Sequence, residues 1–381
     1  MTQVSTQRMP DGSIKVTTDR LEAKITPTGY VSGVAAGSLR DIETGAREQG
    51  FGLDIVDFLM EPGWGSGKWH DENFYERNPL IHGHIPKRYV ELPQICTQAK
   101  KVQVECVVGK RHAIIRQSWR WKDAAPGYKA GSLWEQTLLF LSGRRYFFAC
   151  DKITSVNTVK ELFLRIDMPG HLKHNNADTF EEIFLSYYGR IPSSNFLSDF
   201  APDSKFFYQR SSDPLPESII RSYKLRSGPW LAGITLCPKI VSEAWCHQRG
   251  YVCFIEEIGR LPVRSGDSFS ATYAIGFFDD IEEMKQVSRE YGGFTSIAGN
   301  ADWWCLSEGV LSPDGAEGLN GSSWKISSQG RWEMSSSGTW RTKLNGEGKI
   351  SINHSKFVLH DERDLEVAIK VVPRENVMGQ F

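Results

Sequence analysis

The strongest constraint on the fold of this chain is a regular succession of short apolar or alternating segments. Between residues 13 and 278 each segment runs for roughly five to ten residues and ends at Gly, Pro, Asn or Asp. Clear examples are HAIIRQSWRW, SLWEQTLLF, RYFFACDKIT and ELFLRIDM. This cadence is typical of antiparallel strands joined by turns. The sequence therefore predicts an all-β fold built on a large antiparallel sheet.

One segment departs from this cadence. DDIEEMKQVSREYGG predicts a helix, with Asp279 or Asp280 as its N-cap and Met284 and Val287 on its apolar face. Glycine at the end of the segment would terminate the helix. We place a domain boundary just after it.

The predicted domains are residues 1–295 and 300–381. The second part again contains only strand-like segments, such as RWEMSS and KISINH, and predicts a smaller β-sandwich. Its last segment, DLEVAIKVVP, would leave a long unpaired edge, which is an aggregation hazard. We therefore expect the second sandwich to be incomplete within this chain.

An irregular segment at Pro62–Gln98 is the first candidate for a binding site. It contains too many aromatic side chains, including Trp64 and Trp69, for a disordered linker. We predict an ordered loop that covers a cleft in the large sheet. His82 and His84 in this loop would lie about 7 Å apart on one side of an extended chain. They could share a ligand or metal, or simply bond to neighbouring carbonyl groups.

A second polar segment follows a Pro-Gly break. His171 and His174 are spaced i, i+3 and are followed by Asn175, and the next strand leads through Tyr187 to Arg190. A ligand rich in hydroxyl groups needs many hydrogen-bonding partners when it leaves water. A polar surface loop with local side-chain turns explains the same pattern, and this alternative stays open.

Two further residues are predicted to contact substrate. Glu135 is a charged residue inside an otherwise apolar strand, which suggests a face turned away from the core. Tyr128 lies between glycines, which allow a ligand to approach the backbone closely.

Charge gives little support for a polyanionic partner. The 381 residues include 45 basic and 46 acidic side chains, a formal net charge of −1. No global field attracts nucleic acid or an anionic membrane. We expect no nucleic-acid partner and no membrane partner, and the oligomeric state is not predicted.

Cysteine spacing and the N-terminal segment limit other classes. The seven Cys residues show no C-x-x-C spacing, so neither a disulfide framework nor a cysteine zinc site is predicted. A divalent metal, if bound, is expected on His82, His84, His171 and His174. The chain shows no leader pattern and no run of about 18 apolar residues, which predicts a cytoplasmic protein.

The segment YVCFIEEIGRLPVRSGDSFSATYAIGFF, residues 251–278, carries a resemblance to a known family. This segment resembles the closing strands of the galactose mutarotase-like β-supersandwich group, with Glu256 or Glu257 at the position of a carboxylate and Gly266 and Asp267 at the turn. The resemblance extends over about residues 13–278. The group includes aldose mutarotases, sugar epimerases, and sandwich domains of polysaccharide lyases and glycosidases. It implies a β-supersandwich and leads us to choose Glu256.

The C-terminal part, through WKISSQGRWEMSS and FVLHDERDLEVAIKVV, resembles the start of a concanavalin-like sandwich. Such domains often bind or act on glycans, but likeness of fold does not transfer function.

Together these features predict a carbohydrate-active enzyme that uses acid-base chemistry on a glycan or glycoside, of the polysaccharide lyase or glycosidase type. The predicted catalytic residues are Glu256, His171, His174, Tyr187 and Arg190. The predicted substrate-binding residues are Trp64, Trp69, His82, His84, Glu135, Tyr128 and Asn175. Replacing Glu256 or His171 is expected to lower turnover by about two orders of magnitude or more.

Two alternatives stay open. An aldose mutarotase or sugar epimerase would pair a glutamate base with a histidine acid. A glycan-binding protein without activity would use Trp64, Trp69 and Trp230 as stacking platforms.

Overall fold

The structure is a computed structural model of the chain. It describes residues 4–71, 85–173, 179–200, 205–226, 228–248, 250–301 and 303–307, and strand segments at 332–334, 340–343, 346–352, 355–361 and 366–369.

Two large sheets dominate the fold, and all their strand pairings are antiparallel. The nine-stranded sheet has, in spatial order, the strands Gln103–Val108, His112–Arg120, Leu133–Leu141, Tyr146–Thr154, Ser268–Phe278, Trp230–Thr235, Ile219–Leu225, Phe180–Leu185 and Gly189–Pro192. The seven-stranded sheet has Asp123–Ala124, Lys87–Leu92, Ile55–Pro62, Val159–Lys173, Tyr251–Val263, Val241–Gln248 and Phe207–Gln209. The prediction of a large all-β antiparallel fold is confirmed.

The main core lies between these two sheets. Leu164 and Ile166 of the seven-stranded sheet and Leu138 and Phe140 of the nine-stranded sheet belong to one buried apolar cluster. Because successive side chains of a strand point to opposite faces, each sheet has a second face outside this core.

A second apolar cluster covers the face of the nine-stranded sheet that points away from the main core. There Leu139 packs with Met284 and Val287 of helix Ile281–Glu290 and with Trp304. The predicted helix is confirmed, and Asp280 is its N-cap, accepting a hydrogen bond from the Glu283 N–H at 2.8 Å. Burial of both faces explains why the central strands Trp230–Thr235 and Ser268–Phe278 are largely apolar.

Smaller elements complete the described part of the chain. An N-terminal sheet contains Val4–Arg8, Ile14–Thr18, Leu21–Ile25 and Arg40–Asp41, and two short strand pairs join Thr28–Gly29 with Lys100–Lys101 and Val34–Ala35 with Gly52–Leu53. Short helical turns lie at Gly67–Trp69, Ile95–Gln98, Ser193–Phe196 and Pro238–Ile240.

The C-terminal strands form two further antiparallel sheets. One contains Ser296–Gly299, Trp303–Ser307, Ser355–Asp361 and Gly346–Ile352, and the other contains Trp332–Met334, Trp340–Lys343 and Glu366–Ile369. The domain boundary and the concanavalin-like character of this part stay predictions. Among the described helices, none has the length and apolar character needed to cross a membrane.

Candidate functional site

The face of the seven-stranded sheet that points away from the main core carries a concentration of charged and aromatic side chains. We call it the outer face. On strand Val159–Lys173, Leu164 and Ile166 enter the core, whereas Arg165 and Asp167 alternate with them and lie on the outer face. This alternation of charge and apolar side chains is what places polar chemistry on one surface of the sheet.

The centre of the outer face is a buried ion cluster of Lys87, Arg165, Asp71, Glu243 and Glu257. Lys87 Nζ lies 2.6 Å from Glu243 Oε2 and 2.9 Å from the Glu257 carboxylate. Arg165 Nη2 lies 2.9 Å from Glu257 Oε1 and 3.0 Å from Asp71 Oδ2. All five side chains are at most 1% exposed. Buried charges are tolerated only when paired in this way.

Aromatic rings enclose this ion cluster. The Trp245 ring centroid lies 5.0 Å from Lys87 Nζ and 5.7 Å from the guanidinium carbon of Arg165. The Tyr89 hydroxyl donates to Asp71 Oδ1 at 3.4 Å. The cations of the cluster are thus already neutralised by carboxylates and covered by an aromatic ring.

A second polar group lies on the same face, farther along strand Val159–Lys173. His171 Nε2 lies 2.9 Å from Asp167 Oδ1. The strand bulges here, because Asp167 pairs with Ile255 whereas His171, four residues later, pairs with Cys253. The bulge needs Gly170, which has a φ of 139° and whose added Cβ would lie 2.0 Å from the Gly52 carbonyl oxygen.

The electrostatics of this group are unusual. Burial opposes protonation of His171, but the Asp167 carboxylate outweighs it and raises the pKa of His171 well above its ordinary value. Burial, together with the negative charge of nearby Asp167, raises the pKa of Asp57 to about 7. Asp57 Oδ1 accepts hydrogen bonds from Gln94 Nε2 at 2.7 Å and from the Cys96 thiol at 3.2 Å. Perturbed groups clustered in this way are typical of functional sites, although structural networks produce them too.

The group opens to solvent at a rim of three rings, Phe51, His171 and Tyr251. Phe51 and Tyr251 are each 37% exposed, and the His171 side chain is 17% exposed. The ring centroids of His171 and Tyr251 lie 4.9 Å apart, and those of Phe51 and Tyr251 lie 5.5 Å apart. We call these three residues the aromatic rim.

Glu256 does not lie on the outer face. It is fully buried between the two large sheets, where it forms an ion pair with Arg221 and accepts a hydrogen bond from the Thr235 hydroxyl at 2.9 Å. Its neighbour Glu257 is the glutamate that faces outward, in the ion cluster. Glu256, which the resemblance favoured, therefore lies on the opposite side of the strand from Glu257, and its catalytic role stays a prediction.

Three other predicted residues lie away from the aromatic rim. Tyr187 packs against the main core, and its ring centroid lies 5.7 Å from that of Tyr208. Arg190 lies on an edge strand of the nine-stranded sheet, where it is exposed and 2.8 Å from Glu182. Glu135 lies in the nine-stranded sheet too, 3.3 Å from Lys152. The structure does not bring these side chains to His171.

The segment Pro62–Gln98 has three described parts. Its first part covers the outer face, because Trp69 packs against Met60 and Phe163 and Asp71 contacts Arg165. Lys87–Leu92 is instead a strand of the sheet, and Ile95–Gln98 is a helical turn.

The remaining predicted substrate-binding residues near this segment have local partners. Trp64 is 50% exposed and stacks on the His70 ring at 5.7 Å. Tyr128 donates to Glu61 Oε1 at 2.7 Å. Phe51 precedes strand Ile55–Pro62 and Trp64 follows it. The strand is about 23 Å long, so Trp64 lies far from the aromatic rim. His82, His84, His174 and Asn175 lie outside the described residues.

One group in the described part of the chain could hold a metal ion. Asp167, His171 and Cys253 each offer a ligand atom, and these atoms lie within 4.8 Å of one another. The group contains the predicted His171 but also a cysteine, which the sequence analysis did not expect.

Several residues of the site were missed at the sequence level. Arg165 and Asp167 gave a usable signal, since they alternate with apolar residues in LFLRIDM. Phe51 and Tyr251 gave none, because single aromatic residues at strand ends are common in any β protein.

Comparison with known proteins gives matches of structure only. No model of a protein family matches the chain, and no curated protein sequence matches it. A galactose mutarotase-like protein from Clostridium acetobutylicum is 9% identical, with 73% of this chain and 98% of that chain covered and a TM-score of 0.44. A putative aldose 1-epimerase from Escherichia coli K12 is 8% identical, with 73% and 100% covered and a TM-score of 0.40. An α-mannosidase from Enterococcus faecalis is 9% identical, with 94% of this chain but 37% of that chain covered and a TM-score of 0.40.

Proposed function

We propose that this protein is a carbohydrate-active enzyme that binds a neutral glycan or glycoside at the aromatic rim and transfers a proton at the bound sugar. One observation carries the proposal: two exposed aromatic rings flank a partly exposed histidine that is fixed by a buried aspartate. Aromatic faces suit the apolar face of a sugar ring, and the polar groups beneath can bond to its hydroxyl groups.

The charges of the outer face favour a neutral sugar over a uronate. A uronate carboxylate needs a cation that is not already neutralised. Lys87 and Arg165, the cations of the ion cluster, are each held between two carboxylates. A glycosidase-type or epimerase-type reaction therefore fits these described residues better than lyase chemistry on a uronate.

The experiment is an incubation of the full chain with a panel of neutral and uronate glycans. Reducing ends, unsaturated products and anomer exchange are followed together. We expect turnover of a neutral glycan or glycoside, and a loss of about a hundredfold or more in His171→Ala. Tyr188→Ala is the control, because Tyr188 is 58% exposed and contacts Phe206 instead of the rim. Full turnover in His171→Ala would place the chemistry elsewhere.

A glycan-binding protein without activity is the second candidate. It is favoured by the complete burial of Glu257 and Glu243, since a carboxylate locked between cations is a poor base for a substrate. Of the three tryptophans that this alternative names, Trp230 is only 4% exposed. It therefore cannot serve as a stacking platform for a sugar. Sugar affinity without any product in the panel would favour this candidate.

A further inference from the structure

We infer that Asp167, His171 and Cys253 form a binding site for a transition-metal ion, with Zn²⁺ as the ion that their chemistry fits best. The site shares His171 with the aromatic rim, but the inference rests on the three ligand atoms and not on sugar binding. It starts from three side chains that converge from two neighbouring strands, Val159–Lys173 and Tyr251–Val263.

The donor set selects the class of metal. A carboxylate oxygen, an imidazole nitrogen and a thiolate sulfur together are typical zinc ligands. Ca²⁺ and Mg²⁺ prefer sets made of oxygen atoms, so the cysteine and histidine argue against them. Three protein ligands would leave a fourth position for water or another small ligand.

The geometry is close to what such an ion requires. Bonds of 2.0–2.3 Å to a tetrahedral zinc place the ligand atoms about 3.5 Å from one another. The three ligand atoms lie within 4.8 Å, and the distance from His171 Nε2 to Asp167 Oδ1 is 2.9 Å. Small movements of the side chains would bring all three to bonding distance.

The Asp167 carboxylate gives an independent reason to expect a ligand. It is fully buried, and its Oδ2 atom accepts no hydrogen bond from the described residues. A buried carboxylate oxygen without a partner is costly, and a bound cation would remove that cost. The bulge in the strand places the His171 imidazole beside this carboxylate, with Nε2 2.9 Å from the other oxygen, Oδ1.

The test is a titration of the chelator-treated full chain with Co²⁺, a spectroscopic substitute for Zn²⁺. We expect one Co²⁺ per chain and a thiolate-to-cobalt charge-transfer band in the near ultraviolet. The band should be lost in Cys253→Ser. Cys106→Ser is the matched control, since Cys106 is a half-buried free thiol on an edge strand of the other large sheet.

Affinity for Zn²⁺, measured by competition with a chromophoric chelator, gives a second readout. Asp167→Asn should weaken binding by about tenfold or more, since even outer-shell partners of metal ligands are worth that much. Circular dichroism verifies that each variant is folded. His171→Gln, at a partly exposed position, replaces any variant that is not folded and should weaken binding similarly. Absence of the band in the wild-type chain, or its persistence in Cys253→Ser, would overturn the inference.

Discussion

Single residues decide which face of the seven-stranded sheet carries chemistry. Glu256 and Glu257 are adjacent in the chain, yet Glu256 pairs with Arg221 between the sheets and Glu257 pairs with Arg165 and Lys87 on the outer face. Both glutamates are buried with their partners, so removing Glu256 would leave Arg221 as an uncompensated buried cation, which is costly.

For Glu256 the structure predicts a loss of stability where the sequence predicted a loss of turnover. In Glu256→Gln the buried Arg221 would lose its charge partner, which we expect to lower the free energy of unfolding by about 3 kcal/mol. Urea unfolding measures this change. Glu135→Gln is the control, because its pair with Lys152 is partly exposed and is worth about 1 kcal/mol or less. Unchanged stability in Glu256→Gln, with turnover reduced, would contradict this expectation and support the catalytic role.

A second buried pair, Asp54 and Asp151, links stability to pH. Burial raises the pKa of Asp151 to about 6, and burial together with the Asp151 charge raises the pKa of Asp54 well above its ordinary value. The charged groups facing the pair are Glu256 and Arg221. The folded protein keeps protons that the unfolded chain releases above about pH 4. The contribution of this pair to stability is therefore complete below pH 4 and declines as pH rises through 6.

Asp54→Asn should make that decline shallower. Asparagine cannot titrate, so we expect the free energy of unfolding to fall less between pH 4 and pH 7, by on the order of 1 kcal/mol or more. Urea titrations across this range measure the slope. Asp199→Asn, at an exposed position, is the control. An unchanged slope in Asp54→Asn would show that the pair does not titrate in this range.

At the scale of elements, the bulge in strand Val159–Lys173 connects the sheet to the site. It places His171 beside Asp167, and a side chain at Gly170 would collide with the Gly52 carbonyl oxygen. The backbone of Gly170 also lies at a positive φ that other residues rarely adopt.

We expect Gly170→Ala to lower the free energy of unfolding by about 2 kcal/mol or more, because backbone strain and the collision add. Gly266→Ala is the matched control. Gly266 has a φ of 96°, but a Cβ there would meet nothing within 4 Å, so it tests strain without collision and should cost about 1 kcal/mol. Equal losses in the two variants would mean that the bulge tolerates a side chain.

At the scale of the whole molecule, the sequence was informative about elements and much less so about the site. The period of the apolar residues predicted most strands of both large sheets, although not Val241–Gln248 or Phe207–Gln209. A capping aspartate at 279 or 280 and the apolar face at Met284 predicted the helix. These signals are local in the chain.

The arrangement of the site depends on contacts that no local pattern encodes. Arg190 is near His171 in sequence, but strand order places it on an edge of the other sheet. Phe51 and Tyr251 are 200 residues apart. They meet because the bend at Phe51 and the start of strand Tyr251–Val263 both lie beside the bulge at His171. Pairing of distant strands and the choice of face were therefore beyond the sequence pattern.

The central claim, that the aromatic rim binds a sugar, is tested most directly by calorimetric titration. The ligand is the neutral sugar of the panel that the wild-type chain binds most tightly. We predict that the double variant Phe51→Ala, Tyr251→Ala binds this sugar roughly tenfold or more weakly, because both stacking surfaces are lost, whereas Tyr188→Ala binds it as the wild type does. Equal affinity in the double variant and the wild type, or no affinity of the wild-type chain for any sugar of the panel, would contradict the account.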